Sequence, residues 1–98
     1  MSGEYKLLAL HLQRAFNQAA QEKGKERHAR SGQKIEDQVI CAIGRELGSY
    51  DYEIGQAIKK AFEAKRIHKI YGKEKAVAEL YGAINYLCAA CMLIEEGL

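Results

Sequence analysis

The chain has 98 residues and a formal net charge of +2, from 15 basic and 13 acidic side chains. That length is one folding unit, and so even a balance excludes the strongly basic composition of an extended nucleic-acid binder. With 48% apolar residues, no proline and three cysteines, the composition excludes disorder, leaves helices unobstructed, and suits a reducing compartment better than a disulfide-stapled secreted domain.

The opening stretch, "MSGEYKLLALHLQR", sets Glu4, Lys6 and His11 among its apolar positions, unlike a secretory leader, so the expected location is the cytoplasm. Ser2 is placed to cap a first helix over about residues 2–23. Tyr5, Leu8, Leu12, Ala15, Phe16 and Ala19 recur at intervals of three and four, which makes one apolar stripe. Leu7 and Leu10 fall off that stripe as a candidate second contact surface. The next segment, "KGKERHARSGQK", holds Gly24 and Gly32 and almost nothing apolar, and reads as a basic loop over 24–34.

A second helix is expected over 35–47, with Ile35, Val39, Ile40, Ile43 and Leu47 inward. Glu36 and Asp37 suit its positive end, and Gly48 supplies a left-handed stop. Ser49 then caps a third helix over 50–71, with Asp51 and Glu53 in its first turn. Gly72 ends it, and a fourth helix fills 73–96. Connections this short make sequential helices antiparallel neighbours. The expected fold is a single all-α domain over 1–98, a four-helix antiparallel bundle or double helical hairpin that oligomerises through its C-terminal helix.

In the fourth helix, Val77, Leu80, Tyr81, Ile84, Leu87, Cys88, Cys91 and Ile94 define one apolar face, which is expected to point inward. The opposite side carries Gly82, Asn85, Tyr86, Ala89 and Leu93 where a solvated helix would carry charge. A helix apolar around its circumference is buried on more than one side, so these five residues are the expected subunit interface, with Asn85 either fixing register there or facing a wet edge. The run "AINYLCAACMLI" is too short to span a bilayer alone, and a longer window takes in Glu79 as well as Asn85, so no membrane partner is expected.

Catalytic chemistry finds no footing. Cys88 and Cys91 form a C-x-x-C in mid-helix, without the helix N-terminus that activates redox thiols and without a second pair for zinc, and read as apolar filler. His68 follows Ala61 and Ala64 and reads as a core or interface histidine. No metal site, catalytic set or cofactor is expected. "ELYGAINYL", Glu79 to Leu87, resembles in outline the E-x-x-D helix of small nucleotide pyrophosphohydrolases of the MazG type, which hold magnesium between such a helix and an E-E-x-x-E helix. Gly82 stands at the aspartate position, and "IEDQVIC" keeps two acids but not a third, so the likeness implies no membership.

The remaining signal is "KKAFEAKRIHKIYGKEK", Lys59 to Lys75. Lys59, Lys65, Arg66 and Lys69 share one broad side of the third helix, relieved only by Glu63, with Tyr71 at its end. A solvated face near a helix C-terminus accounts for lysines here. Convergence with Arg27, His28 and Arg30 of the basic loop would instead make a phosphate pocket. The expected function is a non-enzymatic homo-oligomer that binds an anionic small molecule, such as a nucleotide, near the subunit interface. An alternative is a protein-interaction module using Leu7, Leu10 and Leu93. A third reading is a metal-dependent hydrolase using Glu36, Asp37 and Glu79.

Overall fold

The computed structural model describes residues 3–21 and 34–98; 89% of these are helical, and none is in a strand. A 3-10 turn at Gly3–Tyr5 leads into α1 (Lys6–Gln21), and another at Ile35–Asp37 precedes α2 (Val39–Leu47); α3 (Asp51–Tyr71) and α4 (Lys73–Glu95) follow. Ser2 and the loop residues Arg27, His28 and Arg30 lie outside the described residues.

The helix ends follow from local chemistry. Gly48 takes φ 69°, and its N–H bonds to the Arg45 carbonyl while the Ser49 N–H reaches Gly44. This pair of bonds satisfies two carbonyls that the end of α2 would otherwise leave open. Tyr50, not Ser49, takes the N-cap position of α3 and makes no side-chain cap bond; the Ser49 hydroxyl, one residue earlier, accepts the Asp51 N–H at 3.0 Å. Gly72, at φ 94°, is the whole connection between α3 and α4: its N–H bonds to His68 and its carbonyl accepts the Ala76 N–H.

The heaviest packing in the molecule is α3 on α4. Along α3 the line Glu53, Ala57, Lys60, Ala64, Ile67, Tyr71 repeats at intervals of four and three. Along α4 the line Ala76, Glu79, Ala83, Tyr86, Ala90, Leu93 does the same. Buried Ala57, Ala64, Ala76, Ala83 and Ala90 permit close approach. Tyr52 meets Tyr86 edge-on at 6.2 Å, and Lys60 meets Glu79 at 3.2 Å. Helix α2 closes the core with Ile40 and Cys41 against Ala57, Ala83, Tyr86, Ala89 and Leu93. Val39 and Leu47, expected inward, are exposed, because this short helix turns the line of Ile40, Cys41 and Gly44 toward the core instead.

Helix α1 packs chiefly on α4. Ala15 is its buried contact, 1% exposed; Asn85 Nδ2 donates to the Ala15 carbonyl at 3.0 Å, and Gln18 Nε2 donates to the Ala78 carbonyl at 2.9 Å. His11 Nδ1 and the Tyr81 hydroxyl share a hydrogen bond at 2.5 Å. Leu8 lies on the same line as Ala15, two turns earlier, and is 55% exposed.

The two faces of α4 depart from the sequence expectation at most of their large residues. Tyr86, Ala89 and Leu93, expected at a subunit interface, are buried within the chain, and Leu93 is fully so. Gly82 lies under Lys60, and Asn85 is bonded to α1. Of the face expected inside, Tyr81 is buried and Val77 and Ile84 are half-buried, but Leu80 is 42%, Leu87 46% and Ile94 51% exposed, and Cys88 and Cys91 are exposed free thiols rather than core filler. On the inner face Ala76, Ala83 and Ala90 let the two helices approach closely, while Tyr86 and Leu93 fill the core against α2. By length and composition α4 is apolar enough to cross a membrane, yet its Glu79 and Asn85 are engaged within the chain.

Candidate anion-binding cavity

A cavity of about 350 Å³ opens between α3 and α4, bordered by the end of α1 and the start of α2. Lys60, Gly82, Asn85 and Tyr86 line it from the hairpin. Arg66, Tyr71 and Lys75 line it toward solvent, where all three are exposed. Gln18 and Ala19 supply one further wall, Ile35 and Gln38 another. Those last two pairs lie on either side of residues 22–33 in sequence.

Lys60 reaches the cavity because Gly82 has no side chain. A Cβ at Gly82 would stand 3.0 Å from Lys60 Cδ. The lysine stem crosses α4 there, and its ammonium bonds to Glu79 Oε1 at 3.2 Å and lies 5.9 Å from the centre of the Tyr86 ring. These partners offset the cost of enclosing the ammonium. Lys75 sits 5.4 Å from the centre of the Tyr71 ring. Arg66 is paired with no carboxylate among the described residues. Three cations thus meet one carboxylate, which leaves the lining positive.

Of the seven ligand-binding residues expected from the sequence, Arg66 and Tyr71 line the cavity. Lys65 and Lys69 are exposed and do not line it; Arg27, His28 and Arg30 lie outside the described residues. Compared with family models, with curated proteins and with solved structures, the chain matches none. The cavity's own residues therefore carry the functional reading.

Sequence reasoning did not single out Lys60 as a cavity residue, and it placed Lys75 only at a turn. The signal for Lys60 was present: it occupies the four-and-three line shared by Ala57, Ala64 and Ile67. Glu53 was read only as a first-turn acid, but it is fully buried. The Gly44 N–H donates to its Oε2 at 3.1 Å, while Oε1 has no hydrogen-bond partner among the described residues. His68, expected in a core or interface, is exposed.

For metal chemistry the described residues offer no group of three or more acids, histidines or cysteines able to hold an ion. Glu79 is engaged by Lys60, and Glu36 is exposed.

Proposed function

We propose that this chain is a non-enzymatic binding protein for a small phosphate-bearing molecule, a mononucleotide in size, held in the cavity between α3 and α4. The observation that carries the reading is the convergence of Lys60, Arg66 and Lys75 on one cavity that contains a single acid, Glu79. Arginine presents a planar fork that grips two phosphate oxygens at once, and lysines add point charge. Tyr71 and Tyr86 offer a ring face or a hydroxyl to the rest of the ligand. A volume near 350 Å³ is at the small end for ligand sites and favours a mononucleotide over a dinucleotide.

The test is calorimetric titration with inorganic phosphate, nucleoside mono- and diphosphates and cyclic nucleotides. Binding that weakens in Arg66→Ala and Lys75→Ala, but not in Lys65→Ala, supports the proposal. Absence of heat across the panel would remove it.

A protein-interaction reading has its own support in α1, where Leu7 and Leu10 are exposed. Leu93 takes no part in it, being fully buried. Comparison of captured partners between the native chain and a Leu7→Ser, Leu10→Ser variant tests it.

A further inference from the structure

Helix α4 carries two apolar lines of the same period, one residue apart. The inner line, from Ala76 to Leu93, faces α2 and α3. The outer line is Val77, Leu80, Ile84, Leu87, Cys91 and Ile94, again at alternating intervals of three and four, and it is half-buried or exposed throughout. Such spacing over more than two heptads is the seam of a helix that packs against another helix.

The charges on α4 run against its own dipole. Lys73 and Lys75 stand in the first turn with Glu74, and the last turn holds no base but ends in Glu95. A helix prefers acids first and bases last. Lys75 is placed over Tyr71, but Lys73 and Glu95 are paired with no described residue. They lie eleven residues before and eleven after Ile84, on the seam side of the helix. Val77 and Cys91 are spaced symmetrically about Ile84 in the same way, at seven residues each.

We infer that a second copy of this chain covers the seam, with the two α4 helices antiparallel about a two-fold axis near Ile84. In that arrangement Leu80 and Leu87 fill the centre, and Lys73 of each copy meets Glu95 of the other at the rims. The opposed dipoles also run head to tail. An isologous contact needs a patch complementary to itself, and the symmetry about Ile84 provides one.

The seam carries large apolar side chains open to solvent: Leu80 is 42%, Leu87 46% and Ile94 51% exposed. Lys75, Gly82 and Tyr86 in the cavity lie about 180° round α4 from the seam. Self-association and ligand binding therefore stand or fall separately.

The experiment is mass measurement by light scattering and sedimentation at micromolar concentration. The native chain is expected at twice the 11.0 kDa chain mass, and Leu87→Glu at the single-chain mass with unchanged helical circular dichroism. Glu95→Lys is expected to weaken association by about fivefold, by opposing like charges at both rims, and the double variant Lys73→Glu, Glu95→Lys to restore it. A single-chain mass for the native protein overturns the proposal. So does a dimer indifferent to Leu87→Glu, or a double variant no better than Glu95→Lys. Sedimentation with phosphatidylcholine vesicles, abolished by Leu87→Glu, would assign the seam to lipid and also overturn it.

Discussion

Gly44 stands directly over Glu53, donating its amide hydrogen to the buried carboxylate at 3.1 Å across a gap too narrow for any side chain. A Cβ on Gly44 would fall 2.7 Å from Glu53 Oε1 and closer still to Leu93. Both neighbours are fully buried and have nowhere to retreat. Gly44→Ala is therefore expected to destabilise the fold by about 1–3 kcal/mol, the usual effect of overpacking, despite the better helix propensity of alanine. Urea unfolding of the two proteins measures it.

Glu53→Ala attacks the same contact from the other side. It leaves the Gly44 N–H without its acceptor and opens a void beneath Leu93. The expected loss is about 2–4 kcal/mol, combining an orphaned donor with a cavity. Thermal unfolding followed by circular dichroism is the readout, and a loss below that of an exposed-site control such as Glu46→Ala would refute the account.

Gly82→Ala presses on a flexible neighbour, so its effect should be on binding rather than on stability. The new methyl displaces the Lys60 stem, which lies 3.0 Å from the built Cβ, and shifts its ammonium away from Glu79. Unfolding free energy is expected to change by less than about 1 kcal/mol. Affinity for a phosphate ligand is expected to fall roughly tenfold, comparable to losing one charge-assisted hydrogen bond. Parallel calorimetry and denaturation separate the two quantities.

The forked bond from Arg45 holds the Glu96 carboxyl below its ordinary range. A carboxylate whose folded value is lowered stabilises the protein above its unfolded value, and that contribution disappears as the pH falls through the folded value. The melting temperature of Glu96→Gln should thus trail the native protein at neutral pH and converge with it in acid. Both side chains are partly open to water, so the gap at neutral pH is small.

Burial pushes the Cys41 thiol up, against the lowering pull of Arg45. The reactive thiolate is scarce there, and the group is fully enclosed. Alkylation mapped by mass spectrometry should label Cys41 last under native conditions and level with Cys88 and Cys91 in denaturant. The raised value also gives a sign: the thiol's preference for the folded interior is lost as the pH climbs through the alkaline range where thiols ionise.

The helix boundaries were legible because the punctuation is chemical. Gly48 and Gly72 both adopt positive φ at the helix ends expected of them, and Ser49 bonds the first turn of α3 from one residue before the Tyr50 N-cap. The facing of α4 was not legible, because its two lines have the same period and hydropathy favours the wrong one. Leucine and isoleucine outweigh alanine by transfer energy, yet the alanines pack inside, where two helices joined by one residue must lie close. Arg66 and Tyr71 could be found in the cavity from the basic run alone. Lys60 could not be told from its exposed neighbour Lys59 without the partner line on α4, and Glu53 was masked by a position where acids are ordinary.

The slender attachment of α1 sets an order of events. It is held to α4 by Ala15 and by the hydrogen bonds of His11, Gln18 and Asn85, whereas α3 and α4 bury one another along their whole inner lines. Amide exchange should accordingly release α1 as a separate unit, well before the hairpin opens. Since Gln18 and Ala19 form one wall of the cavity, release of α1 would remove that wall and leave the Lys60 side of the cavity open.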